Sequence, residues 1–215
     1  MGARSGRAYP LPLLRPIPVP PVAYNAKGTG ATTGVATSIS WSHTATAGAY
    51  VLAAFVSTTA GSTLSNVKYG TANMALVGSQ NMGTNGPLYI YGLANAPSGA
   101  QTISATASTS TVMNGCSVSY LNVSAIGTPV VTSGSNASPS QSATGPLNGI
   151  VFQAFGCYNA SVTSYSGGTP RYNAIDSTGF AALAIQDSAA NNPSFSAVLS
   201  GSTPWAGVAV PLLPI

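Results

Sequence analysis

Charge is what this 215-residue chain has least of. Asp, Glu, Lys and Arg make up 4% of it, against about 25% in an ordinary soluble domain. Glutamate is absent, and Asp176 and Asp187 are the only acids. A glycosidase needs two carboxyl groups at one sugar, and here those two would have to serve. Both stand in turn-like runs, NAIDSTG and IQDSAANN, where an aspartate ordinarily closes a turn. His43 is the only histidine, with no Cys or acid at ligand spacing, so no metal is expected. A Ser-His-Asp triad would have to use it, but GCSVS has Ser119 where the nucleophile elbow needs its second glycine. Neither a Walker A sequence nor a G-x-G-x-x-G between strand and helix is present, and GTGATTG is only a glycine run. No enzymatic activity and no cofactor are expected.

Cysteine is scarce too. Cys116 and Cys157 are too few for a disulfide framework, and each sits in an apolar run, GCSVSY or IVFQAFGC. Small buried thiols are expected, with a bridge between them as the alternative. No run approaches the ~18 apolar residues of a membrane span, and proline breaks the apolar lead too often for a signal helix, so no membrane partner is expected. The net charge is +4, but Arg4, Arg7, Arg15 and Lys27 all lie near the start, leaving Lys68 and Arg171 for the rest. No basic patch interleaves with aromatics, and no nucleic-acid partner is expected.

Two kinds of segment are present. RAYPLPLLRPIPVPPVAYNAKGTG, residues 7–30, holds six of the sixteen prolines. Proline fixes its own φ and pushes its predecessor to extended conformations, so a polyproline II ribbon is expected, reaching on the order of 50 Å. The ribbon is apolar enough to need a groove. Arg7, Tyr9, Pro10, Leu11, Leu13, Leu14, Arg15, Ile17, Val19 and Tyr24 are the residues expected to lie on a neighbouring subunit, or back on their own domain. NAKGTGATTG reads as a flexible hinge, which makes residues 1–30 an arm.

From residue 31 the chain becomes a series of strands. VATSISW, PLYIYGLA, QTISATAS and CSVSYLNV alternate, whereas AYVLAAFVS and NGIVFQAFG are almost continuously apolar. Gly, Ser, Pro and Asn clusters separate them, and GFAALAIQD reads as a strand ending near Gln186. With 45% apolar residues there is material for a core. The expected fold is all-β: one jelly-roll-like, two-sheet sandwich over residues 31–215. AYVLAAFVS echoes NGIVFQAFG, and GCSVSYLNVSAIGTP loosely echoes WAGVAVPLLPI. These echoes are expected to reflect shared strand roles within one sandwich rather than a repeat.

The run SISWSHTATAGAYVLAAFVS, then SNVKYG, LYIYGLANAPSG, GCSVSY and PWAGVAV resembles β-sandwich modules in virion proteins of actinobacterial tailed phages, across residues 38–215. The resemblance implies a minor tail or capsid-decoration protein, made in the host cytoplasm and located in the virion. It supplies no catalytic residues. The composition points the same way, because soluble sandwiches usually guard their edge strands with charge. The expected partners are other virion proteins, including copies of itself. The alternative is a carbohydrate- or host-surface-binding module, with Trp41, Tyr158, Tyr165 and Tyr172 as an aromatic platform for a glycan.

Overall fold

The apolar pattern of each strand decides how many faces it buries. The computed structural model describes residues 18–215, and they are all-β. The first half holds β1 (Ala23–Lys27), β2 (Ala31–Ala45), β3 (Tyr50–Ser57), β4 (Leu64–Tyr69), β5 (Ala72–Asn73), β6 (Ala75–Asn81), β7 (Pro87–Leu93) and β8 (Gly99–Leu121). The second holds β9 (Val123–Ile126), β10 (Val130–Asn136), β11 (Ser140–Ser142), β12 (Ile150–Tyr158), β13 (Val162–Ser166), β14 (Thr169–Ile175), β15 (Ala181–Ser188), β16 (Ser194–Leu199) and β17 (Thr203–Pro214). Every strand pairing is antiparallel.

Among the described residues three sheets form where one two-sheet sandwich is expected. In the first, β8 pairs with β3, which pairs with β7 and then β6, while β4 and β2 flank the other end of β8. The second runs β10-β17-β12-β15-β14, and the third β11-β16-β13. The stretches QTISATAS and CSVSYLNV, separate in the sequence pattern, are one 23-residue strand. Its first part pairs with β2 and β4, and its last part with β3 and β1. The β2–β8 register shifts at Ala36/Ser38, and such irregularities bend a strand. Bent, β8 serves both layers of the first half.

Side chains of β3 alternate between two cores. Val51, Ala53 and Phe55 join Ile39, Trp41, Tyr69 and Ile103 inside the first half. Leu52, Ala54 and Val56 face the other way and meet Phe152, Ala154, Leu183, Ile185, Val208 and Val210 of the second half. In β12 the pattern is mirrored: Val151 and Phe155 turn to a third core with Phe195, Leu199 and Trp205, under the third sheet. This explains why AYVLAAFVS and NGIVFQAFG are apolar throughout, since both of their faces are buried.

The two halves share one topology and nearly one register. Aligning Val51 on Val151 matches Phe55 to Phe155 within β3 and β12. Through their pairings it then matches Leu88 and Ile90 to Leu183 and Ile185, and Gly115 and Val118 to Gly207 and Val210. The irregularity between Leu76 and Gly78 in β6 corresponds to the one between Pro170 and Tyr172 in β14. The sequence echo therefore marks a repeated unit, and the expectation of a merely shared strand role is corrected.

The hinge expected over NAKGTGATTG is also corrected. Most of it is strand, in β1 and the start of β2. Gly28 donates its N–H to Ser117 O at 2.9 Å, and Thr29 donates to Ser42 O at 2.9 Å. A Cβ at Gly28 would lie 2.4 Å from Ser117 Oγ, so close docking of the backbone is what requires this glycine. Of the arm residues, Arg7, Tyr9, Pro10, Leu11, Leu13, Leu14, Arg15 and Ile17 lie outside the described residues. Val19 is half exposed, and Tyr24 belongs to β1.

Candidate functional site

The polar side chains that the sequence offers for chemistry are gathered into four buried or half-buried constellations. The first surrounds His43, which is 1% exposed. Trp41 Nε1 donates to Ser117 Oγ at 2.9 Å, and Ser119 Oγ donates to Asn25 Oδ1 at 3.0 Å. His43 stands between, with Nδ1 2.8 Å from Ser117 Oγ and Nε2 3.0 Å from Ser119 Oγ. One directional chain satisfies every member: Trp41 to Ser117, Ser117 to Nδ1, Nε2–H to Ser119, Ser119 to Asn25. It requires the neutral imidazole protonated on Nε2. Burial pushes the His43 pKa down to about 4, in agreement with that neutral form. Ser and His do meet here, but beneath the surface and with no carboxylate.

Asp176 closes the β14–β15 turn. Its carboxylate accepts from Phe180 N at 2.8 Å, Ala181 N at 2.6 Å and Thr178 N at 2.6 Å, and from the Thr178 hydroxyl. Burial alone would raise its pKa, but the Thr178, Ala181 and Phe180 donors outweigh it and hold the carboxyl below its ordinary value.

Asp187 ties the halves together. Arg171 Nε and Nη2 approach Asp187 Oδ2 and Oδ1 at 2.7 and 2.9 Å in a two-pronged ion pair. Tyr120 of β8 donates to Asp187 Oδ2 at 2.8 Å. The Arg171 guanidinium carbon lies 3.7 Å from the centre of the Tyr24 ring, a cation–π contact with β1. The equivalent positions in the first half are Val77 and Gly92, since Gly92 pairs with Leu52 as Asp187 pairs with Phe152. No ion pair could form there. Close by, Asn114 donates to Ala174 O and Ala181 O at 2.9 and 3.1 Å and accepts from the Tyr172 hydroxyl at 3.1 Å.

Three glutamines cross the third core. Gln186 donates to Gln153 at 3.3 Å, and Gln141 donates to Val130 O at 2.7 Å. Gln153 Nε2 lies 3.5 Å from Gln141 Oε1. The sequence pattern shows no sign of this row, because each glutamine looks like an ordinary polar residue of a half-exposed strand.

Both cysteines are free and buried, Cys116 between the halves and Cys157 in the third core. Burial raises each thiol to about 12, which leaves them protonated and unreactive. The bridged alternative is not formed. Among the described residues no three His, Cys, Asp or Glu side chains gather as a metal site would require, and no helix is long and apolar enough to cross a membrane.

The expected aromatic platform is not assembled. Trp41 is buried, its ring centre 5.0 Å from that of Phe55, and the Cβ position of Gly115 lies 2.5 Å from its ring. Tyr172 is held against Asn114 and packs on the central core. Tyr165 packs on the third core. Tyr158 stacks on Phe180 with ring centres 5.7 Å apart. The four do not share a face because they serve different cores.

One open cavity of about 310 Å³ lies elsewhere, between β4, β5 and β7. It is lined by Leu64, Ser65, Asn66, Val67, Asn73, Met74 and Tyr91. Among the described residues no charged side chain contributes to its wall. Searches with the whole chain find no matching family model, no matching curated protein and no matching solved structure.

Proposed function

We propose that this chain is a non-enzymatic structural protein of a virion, a minor tail or capsid-decoration component. In this reading the proline-rich N-terminal segment docks onto a neighbouring virion protein and the paired sandwiches are displayed. The observation that carries it is the state of the sheet edges. Of the six strands that end the sheet orders, β5, β6, β10, β11 and β13 carry no charged side chain, and β14 carries only Arg171, which is paired with Asp187. Both acids and Arg171 are spent internally, leaving Lys27 and Lys68 as the other charged side chains of the described residues. Val130 and Val131, on the edge strand β10, are 36% and 44% exposed. A freely diffusing sandwich with such edges has little to oppose edge-to-edge association, whereas a protein fixed in a lattice needs no such guard.

Particles purified from producing cells test this directly, by mass spectrometry and immunogold labelling. The full chain is expected in the particle fraction. A chain lacking residues 1–17 is expected to fold and to be missing from it. Absence of the full chain from particles, together with a monomer at high concentration by sedimentation, overturns the proposal.

A further inference from the structure

The duplicated architecture shows what one half has that the other lacks. In the second half β13 passes to β14 through Gly167 and Gly168 alone. In the first, the corresponding link from β4 to β6 is Gly70 to Met74, which contains β5 and folds back onto β4. The cavity of about 310 Å³ is built by this extension. Loop additions on a shared framework are where binding functions ordinarily arise.

Its wall has a definite chemistry. The floor is apolar: Val67, Met74 and Tyr91 are buried there, at 5%, 7% and 8% exposure. The rim carries the Asn66 and Asn73 amides and the Ser65 hydroxyl. The β4–β8 register is interrupted between Ser65 and Lys68, and Asn66 adopts a left-handed φ of 50°. Such irregularities re-aim a side chain, and here the residue is one of the few non-glycines that tolerates the conformation. Among the described residues neither amide is used in the fold's own side-chain hydrogen bonds. The Ser65 and Tyr91 hydroxyls, by contrast, are committed to Thr106 O and Leu64 O, each at 3.3 Å.

From this arrangement we infer that the β4–β5 cavity is a binding site for a neutral pyranose, a second function beyond virion assembly. A pyranose presents a C–H face that an apolar floor covers and equatorial hydroxyls that amides can both donate to and accept from. A charged ligand would lose hydration there without meeting a counter-ion in the wall. The volume is at the small end of ligand sites, which suits one ring rather than a long oligosaccharide. The site lies apart from Tyr158 and Phe180, so it does not depend on the aromatic surface expected from the sequence.

Amide-resolved NMR of the full chain provides the test, with methyl glucopyranoside, methyl galactopyranoside and N-acetylglucosamine as probes, and glucuronate for comparison. At least one neutral probe is expected to bind with millimolar affinity and to shift signals of residues 64–74 and Tyr91. Asn66→Gly keeps the left-handed backbone while removing the amide, and combined with Asn73→Ala it is expected to weaken binding about tenfold or more. Tyr158→Ala is expected to leave it unchanged. The assignment is overturned if no neutral probe shifts residues 64–74, if the folded double variant binds as tightly as the parent, or if glucuronate binds equally well. None of these results depends on whether the chain enters particles.

Discussion

His43 is the residue with most to say about how this protein spends its few ionisable groups. Neutral, it completes a chain of four hydrogen bonds; protonated, it would have two donors and no acceptor, and Ser117 would lose its own acceptor. Its pKa falls from an ordinary 6.5 to about 4 because burial disfavours the cation. Between those values the unfolded chain takes up a proton that the folded chain refuses. Stability is therefore expected to be full above about pH 6.5, to fall by on the order of 3 kcal/mol as pH drops towards 4, and to gain no further contribution from His43 below that. Urea unfolding followed across this range checks it, and His43→Gln is expected to flatten the profile there while lowering stability throughout. At still lower pH a second loss is expected from Asp176. Its depressed carboxyl stabilises the fold above its unfolded pKa, and that contribution disappears as pH falls through the folded value. A profile unchanged from pH 7 to 4 would show that His43 is solvated rather than sealed.

At the scale of elements, the strands most legible in the sequence are those whose pattern reflects burial. β3, β7, β12, β15 and β17 are read correctly because two buried faces give continuous apolar runs, or one gives alternation. β13 and β14 escape notice: VTSYS and TPRYNAI are edge strands with mostly exposed residues, so no period stands out. The expectation of a hinge over residues 25–34 fails for a related reason. Glycine and small polar residues signal flexibility locally, but here they permit backbone to lie directly on Ser117 and beside Tyr172. Of the candidate site, the floor residues were visible as apolar positions, while the convergence of Asn66 and Asn73 depends on a register irregularity that no local pattern announces. This placement of β1 has a measurable consequence. Removing residues 1–24 takes away Val22 from the central core, the Val22 N to Asn148 O bond, and the Tyr24 ring over Arg171. That truncation is expected to cost about 3 kcal/mol or more, read from the chemical denaturation midpoint.

At the scale of the whole molecule, the described residues form two copies of one strand plan joined through their most apolar faces. Each copy has its own inner core, yet neither could stand alone in water, because Leu52, Leu88, Ile90 and Val118 on one side and Phe152, Leu183, Ile185 and Val210 on the other would be uncovered. The Asp187–Arg171 pair with Tyr120, and Asn114 with Ala174, add directional contacts across the same seam. Nature has placed one tryptophan in each inner core, Trp41 in the first and Trp205 in the second. Trp41→Phe leaves only the reporter of the second half, and Trp205→Phe only that of the first. If the seam makes one cooperative unit, the fluorescence midpoint in each variant coincides with the midpoint of the far-UV circular dichroism, although each variant is less stable than the parent. Halves that unfolded independently would separate the two midpoints, most clearly in an Asp187→Ala background, where a buried ion pair has lost its partner across from Tyr120. Coincidence in both single-tryptophan variants is the expected result, because the apolar faces that meet in the middle leave neither half a stable surface of its own.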